Sequence, residues 1–199
     1  MKPIHCSFAI IAALLAAISV VGQEAAPAKC EGLPPGRHAN LERMTAGMNL
    51  TCEQQLKIEP LLHEEESVSK PLQKFSSFSA DERGGVMDQV KIAARRQIRE
   101  QLKPEQQKWM DNDIESVKAG GKKGGGKKTA DIKTAPAGGD PLADEQALSQ
   151  AVMAYSAFTA AEKKSIVLQV KKAARNDSSL SLTTEQQKKL DAEIEGLSK

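Results

Sequence analysis

The feature that most constrains this chain is an internal repeat with an offset of eighty residues. Residues 75–117 align without a gap to residues 155–197, and 18 of the 43 aligned positions are identical. The identical pairs include Phe78 with Phe158, Glu82 with Glu162, and Gln106 with Gln186. Self-similarity at a fixed spacing is typical of a chain built from copies of one supersecondary unit. We therefore expect two related folding units.

A Gly- and Lys-rich segment separates the two copies. Residues 118–141 contain six basic and two acidic residues and almost no large apolar side chains, so they cannot bury enough surface to fold. We expect a disordered linker here, between a first repeat at 40–117 and a second, shortened repeat at 142–199. Its lysines could tether an anionic partner or keep a spacer extended. The spacer is favoured, and no specific nucleic-acid partner is expected, because no aromatic residue is interleaved for base stacking.

The N-terminus has the pattern of a secretory signal peptide. A positively charged start precedes an apolar run at residues 8–21, which small and polar residues follow. The run is short for a membrane span, which needs about 20 apolar residues, and an uncleaved anchor is the alternative. We expect a signal peptide at 1–22 cleaved near Gly22 and a flexible segment at 23–39. The mature protein is then periplasmic or secreted and has no membrane span.

Cleavage leaves two cysteines, Cys30 and Cys52, and two histidines. An even pair of cysteines in an oxidising compartment favours a disulfide, with two free thiols as the alternative. Neither cysteine has a histidine at the spacing of a metal site. The sequence also contains no Ser/His/Asp grouping and no phosphate-binding glycine motif. We therefore expect no metal, no cofactor and no enzymatic activity.

Helix start signals recur in both copies. Ser79 with Glu82, and Thr159 with Glu162, have the spacing of a capping box, in which each side chain accepts a hydrogen bond from the other residue's backbone N–H. Apolar residues follow at steps of three to five, as on one face of a helix. Only six of the 199 residues are aromatic, which argues against a β-sandwich or a large core. The expected fold is all-α, with long-helix hairpins in two related units joined by the Gly/Lys-rich linker.

The apolar pattern also predicts helix lengths. Leu50 to Lys74 is expected to form a long helix, preceded by a short helix at 41–48. The helix that starts at Thr159 should end early, at the Asn-Asp-Ser-Ser run of 176–179.

A second start signal occurs three times, each time beginning with leucine and ending with paired glutamines. The segments are Leu50-Thr51-Cys52-Glu53-Gln54-Gln55, Leu102-Lys103-Pro104-Glu105-Gln106-Gln107 and Leu182-Thr183-Thr184-Glu185-Gln186-Gln187. The threonine is suited to the N-cap, the first glutamine completes a capping box, and the leucine can act as a hydrophobic staple. In the copy without threonine, Pro104 is suited to the first helical position.

With these motifs, the sequence resembles the L-T-x-x-Q family of Spy/CpxP-like bacterial periplasmic proteins. Residues 40–117 resemble one full member, and residues 142–197 resemble a second copy that lacks about 12 residues of its first long helix. The resemblance implies an all-α hairpin fold, a homodimer that forms a curved cradle, and either ATP-independent chaperone activity or regulation of envelope stress sensing. Because one chain carries two repeats, we expect them to pack as an internal pseudo-dimer, with a homodimer as the alternative.

The expected function is chaperone-like binding of unfolded envelope proteins through apolar helix faces, which a thin hairpin cannot fully cover. The candidate contact residues are aromatic: Phe75, Phe78, Trp109, Tyr155 and Phe158. The alternative for each is a packing role at a helix turn. Trp109 is expected to be more exposed than the others, because its repeat counterpart is a lysine. Two other functions stay open: an envelope-stress regulator that docks on a membrane sensor, and a metal-resistance accessory protein, which the few histidines disfavour.

Overall fold

The computed structural model describes three stretches of the chain: residues 30–33, 38–120 and 142–199. Three predicted segments lie wholly or mostly outside them: the signal peptide at 1–22, the flexible segment at 23–39 and the linker at 118–141. The described part of Glu31–Lys199 forms one compact body.

The described residues form helices and the turns between them. In chain order the helices are α1 (Ala39–Met48), α2 (Cys52–Lys74), α3 (Ala80–Glu100), α4 (Pro104–Gly120), α5 (Ala143–Ala154), α6 (Ala160–Asn176) and α7 (Thr184–Ser198). The predicted all-α class is confirmed. Within these residues no helix is long and apolar enough to cross a membrane.

The predicted helix bounds hold to within two residues for α1 and α2, and α6 ends at Asn176 as expected. One boundary is wrong, because α4 continues to Gly120 and residues 118–120 of the predicted linker are helical. Lys118 supports this last turn by pairing with Glu115, with 2.8 Å between Nζ and Oε1. A cation near the C-terminus of a helix also interacts favourably with the helix dipole.

All the predicted capping boxes are present. They join Ser79 to Glu82, Thr159 to Glu162, Thr51 to Gln54 and Thr183 to Gln186. In the Ser79 box, the hydroxyl accepts from the Glu82 N–H at 3.2 Å and the Glu82 carboxylate accepts from the Ser79 N–H at 2.9 Å. The copy without a hydroxyl also starts a helix at Pro104, where Gln106 Oε1 accepts from the Lys103 N–H at 2.9 Å.

The first repeat has an apolar core of its own, which we call the end core. It lies between α1, the first half of α2, the end of α3 and α4. Its buried members are Leu41, Met44, Met48, Leu50, Ile58, Leu62, Ile98, Leu102, Met110 and Ile114. The leucines at the start of the first two motif copies are therefore buried, as a hydrophobic staple requires.

A second core, the shared core, takes side chains from both repeats. The first repeat contributes Val68, Leu72, Phe75, Phe78, Val86, Val90, Ala93 and Ala94, and the second contributes Leu142, Leu148, Val152, Tyr155, Phe158, Ile166, Val167, Val170, Ala174 and Leu190. Helix α2 packs on α5 as well as on α3. At the offset of eighty, α5 corresponds to residues 63–74 of α2. Contact between equivalent segments is the arrangement of a two-fold interface.

We expect the two repeats to stay associated when the chain is cut between them. A recognition sequence for a site-specific protease inserted after Gly125 allows one defined cut. Because the shared core uses side chains of both repeats, the fragments should coelute in gel filtration and separate only in denaturant. The uncut chain with the same insertion is the control. Separate elution of the fragments under native conditions would contradict the shared core.

Candidate binding cleft

Each repeat has an aromatic pair at the turn between two helices. The rings of Phe75 and Phe78 meet edge to face with centroids 4.9 Å apart, and those of Tyr155 and Phe158 do so at 4.8 Å. All four side chains are at most 5% exposed, because they pack in the shared core. The prediction that these four residues contact clients at the surface is therefore wrong. The structure gives them the alternative role, which is packing at the helix turns.

Trp109 is the aromatic candidate that stays partly exposed, as predicted. Its ring packs against the end core. The indole atoms lie 3.4 Å from where a Cβ on Gly47 would stand, which is an ordinary van der Waals distance. The ring therefore packs directly against α1 at this position.

Tyr155 ties the second repeat to α3 of the first. Its hydroxyl donates a hydrogen bond to the backbone carbonyl of Val90 at 3.2 Å. Burial raises the pKa of Tyr155, and the negative charge of Glu65 adds to this effect. The hydroxyl therefore stays protonated and able to donate at neutral pH. The equivalent residue of the first repeat, Phe75, has no such group, so this bond occurs on one side of the two-fold contact.

The turn of the second repeat is closed against α3 by polar contacts. Arg96 Nη2 lies 2.6 Å from Glu162 Oε1, and Gln97 Nε2 donates to Ser156 Oγ at 3.4 Å. The Ser156 hydroxyl and backbone N–H also donate to the carboxylate of Glu64 on α2. An ion pair and a hydrogen-bonded serine thus fill this contact between the repeats.

The equivalent contact on the other side, which we call the open contact, lacks the ion pair, although Ser77 donates a hydrogen bond to Asp177 there. There the turn of the first repeat faces the end of α6, and a cleft of about 660 Å³ lies between them. At the offset of eighty residues, Asn176 is the equivalent of Arg96, and Asp177 is the equivalent of Gln97. We call this space the inter-repeat cleft; it is lined by Ser76, Ser77, Phe78, Ser79, Glu82, Gln169, Lys172, Ala173, Asn176, Asp177 and Ser178.

Two carboxylates give the inter-repeat cleft its negative charge. Hydrogen bonds from the hydroxyl and the N–H of Ser79 lower the pKa of Glu82. Burial alone raises the pKa of Asp177, but hydrogen bonds from Ser179 and Ser77 outweigh it, and the net shift is downward. Both groups are therefore ionised at neutral pH. Lys172 adds one positive charge, so the lining carries one net negative charge.

The first glutamines of two motif copies meet in the first repeat. Gln54 Nε2 donates to Gln106 Oε1 at 2.8 Å and to the carbonyl of Gln101 at 3.1 Å. In turn, Gln106 Nε2 donates to the carbonyl of Met48 at 2.9 Å. The pair therefore connects the start of α2 to the start of α4.

The second glutamine of each motif copy has a role that the capping-box argument missed. Its side-chain amide donates to the carbonyl of the motif leucine five residues earlier: Gln55 to Leu50 at 2.9 Å, Gln107 to Leu102 at 3.1 Å and Gln187 to Leu182 at 3.4 Å. The bond closes the turn that precedes the helix. The recurrence of Gln-Gln in all three copies was the signal for it.

Behind the shared core, Arg95 joins three helices of the first repeat. It donates to Glu65 of α2 at 2.6 Å and to Asp113 of α4 at 3.0 Å, and these contacts are largely removed from solvent. One turn further along α3, Arg99 pairs with Asp111 at 2.6 Å, in a more exposed position. A buried charge of this kind depends on its partners, because an unpaired ion in the interior is very unfavourable.

The second repeat has acidic residues at the positions equivalent to Glu65, Asp111 and Asp113. The cations that pair with them lie one helical turn closer to the start of α6 than the corresponding cations of α3. Lys171 contacts Glu145 at 3.0 Å and Glu193 at 2.6 Å, the equivalents of the two partners of Arg95. Arg175, the equivalent of Arg95, pairs instead with Asp191 at 2.8 Å. Helix α6 ends one turn before the position where α3 ends, so it has no equivalent of Arg99. Lys171 therefore binds the equivalents of the carboxylates that Arg95 binds, and Arg175 binds the equivalent of the carboxylate that Arg99 binds.

The two histidines of the predicted mature chain lie beside a buried carboxylate. His38 caps α1, with Nδ1 accepting from the Asn40 N–H at 3.2 Å. His63 Nε2 lies 3.2 Å from Glu59 Oε1, which also accepts from the His38 N–H. In the described stretches, no group of three or more His, Cys, Asp or Glu side chains is arranged to hold a metal ion.

Cys30 and Cys52 form a disulfide, as the sequence predicted. A disulfide is typical of proteins from oxidising compartments. Cys52 is the first residue of α2, directly after the N-cap Thr51.

Comparisons of the chain with known protein families, with curated proteins and with solved structures found no match. The resemblance to the L-T-x-x-Q family stays a prediction that rests on the three motif copies.

We expect Arg95→Met to destabilise the protein far more than Arg175→Met, although the two arginines are equivalent in the repeat. Removing Arg95 leaves the Glu65 charge buried without its partner, which typically costs about 3–5 kcal/mol. The Arg175 pair is exposed to solvent, and such pairs contribute about 0–1 kcal/mol. Urea unfolding followed by circular dichroism measures both free energies. An equal loss of unfolding free energy in the two variants would contradict the prediction that the buried Arg95 pairs contribute more than the exposed Arg175 pair.

Proposed function

We propose that the protein is a non-enzymatic binding protein that docks on a specific polypeptide partner through polar surface. The supporting observation is that the apolar stripes of both repeats are packed in the end core and the shared core. Among the described residues, the exposed large hydrophobic side chains are Leu56 and Met153, at 43% and 57%. Two such residues do not make the contiguous apolar patch that general binding of unfolded chains needs.

The inter-repeat cleft is the proposed docking site. It is concave, it is lined by residues of both repeats, and its lining is rich in hydroxyl, amide and carboxylate groups. Polar and charged complementarity favours one partner over others more than it adds raw affinity. This chemistry fits the regulatory candidate, a protein that docks on a sensor domain or on another envelope protein.

Chaperone-like binding of unfolded envelope proteins is the second candidate. The observation in its favour is Met153, a flexible side chain that is more than half exposed. Methionine suits surfaces that bind many different partners. Trp109 adds part of an aromatic face.

We further propose that the protein is exported and works in the periplasm or is secreted. The Cys30–Cys52 disulfide and the predicted signal peptide at 1–22 support this location.

A paired assay separates the two functions. The purified mature protein should fail to suppress aggregation of several unrelated unfolded proteins at a near-stoichiometric ratio. In an envelope extract, the same protein should crosslink to one main partner, and high salt should weaken this capture because polar contacts are screened. Met153→Gln serves as the matched variant: it should leave the capture unchanged. Suppression of aggregation that Met153→Gln reduces would favour the chaperone.

We also propose that the two repeats act as an internal pseudo-dimer, and we therefore expect a monomer in solution. The contact of α2 with its equivalent α5 already covers the face that a homodimer of single repeats would use. Light scattering coupled to gel filtration measures the mass directly. A stable dimer at micromolar concentration would contradict this arrangement.

A further inference from the structure

The two equivalent contacts between the repeats differ most clearly at one position. In the closed contact, the Arg96 guanidinium binds Glu162 Oε1, while Glu162 Oε2 caps the helix through Thr159. In the open contact, Glu82 Oε2 caps the helix in the same way through Ser79. The corresponding arginine is replaced by Asn176. The Arg96–Glu162 ion pair of the closed contact therefore shows which group the equivalent carboxylate, Glu82, can bind in the open contact.

We propose that the inter-repeat cleft binds a guanidinium group, carried by an arginine side chain of a polypeptide partner, in the place that Arg96 occupies in the closed contact. Glu82 Oε1 is the atom that corresponds to the acceptor of Arg96. Asp177 adds a second carboxylate on the opposite wall.

The chemistry of the lining fits this ligand. A guanidinium has five N–H donors in a planar fork and pairs well with carboxylates and hydroxyl oxygens. The inter-repeat cleft offers the ionised carboxylate of Glu82 and that of Asp177, to which Ser77 and Ser179 already donate, together with the hydroxyls of Ser76 and Ser178. Asparagine is shorter than arginine, so Asn176 leaves room where Arg96 fills the equivalent space.

The volume points to a polypeptide as the source of the group. About 660 Å³ is within the usual range of ligand pockets and is much larger than one guanidinium. An arginine side chain with its neighbouring residues fills such a space better than the isolated group. The inference deepens the proposed function and rests on it only for the polypeptide source.

The binding test uses the full mature chain and defined probes. Amide NMR spectra are recorded during titration with N-acetyl-arginine amide, with the uncharged analogue N-acetyl-citrulline amide, and with a short glycine peptide carrying one arginine. We expect saturable shifts at the cleft residues with the arginine probes, and none with citrulline. Tighter binding of the peptide identifies a polypeptide source, whereas equal affinity identifies a small guanidinium compound.

Three variants and one control test the placement. Asn176→Arg supplies the missing side chain and should weaken probe binding at least about tenfold. The control Ala192→Arg adds the same charge at an exposed position of α7, outside the cleft lining, and should leave probe binding unchanged. Glu82→Gln keeps a capping box, since glutamine also serves at that position, and should weaken binding through loss of the charge alone. Conversely, Arg96→Asn removes the guanidinium from Glu162 in the closed contact and should create a second site that binds the arginine probes.

Several results would overturn the inference. One is the absence of saturable shifts with either arginine probe, and another is an equal response to citrulline. Unchanged probe binding in both Asn176→Arg and Glu82→Gln would also exclude this site. These outcomes are distinct from failure of the proposed function, which the crosslinking assay reads without any guanidinium probe.

Discussion

The contact between α2 and α5 is the interaction on which the other parts of the structure depend. A pair of amphipathic helices has an apolar face that must be covered by another element. In the first repeat, α1 and α4 cover only the half that forms the end core. The other half, from Val68 to the aromatic turn, is covered by the second repeat, whose buried apolar side chains all lie in the shared core. Each repeat thus completes the other, and polar surface remains outside.

The sequence predicted what depends on nearby residues and missed individual contacts between side chains that are far apart in the chain. Capping boxes and helix starts follow from residues three or four positions apart, so they could be read directly. The burial of Phe75 and Tyr155 depends on docking between the repeats, and the aromatic residues alone did not indicate it. The Gln54–Gln106 contact joins side chains 52 positions apart, which no local pattern could pair. The inter-repeat cleft likewise appears only when the two repeats are placed together.

Duplication within one chain allows the two halves of a two-fold contact to become different. A homodimer of identical repeats carries every side chain twice, so both contacts must be closed or both open. Here Arg96 and Asn176 occupy equivalent positions in one chain, and each can change alone. Tyr155 and Phe75 also occupy equivalent positions, and the hydroxyl that only Tyr155 carries adds a hydrogen bond to one of the two contacts. Stability can therefore be kept in one contact while the other is used for binding.

The shifted ion pairs of the second repeat bear on how such helices change length in evolution. Cations spaced by four residues lie on nearly the same face, because an α-helix has about 3.6 residues per turn. When a helix is shorter by one turn, as α6 is, the preceding cation still faces the same carboxylates. A change of register by one or two residues would instead rotate the cations by roughly 100–200° away from Glu145 and Glu193. The four-residue spacing of the charges thus allows α6 to end one turn earlier, with no residue deleted from the aligned segment, and still present a cation to each carboxylate.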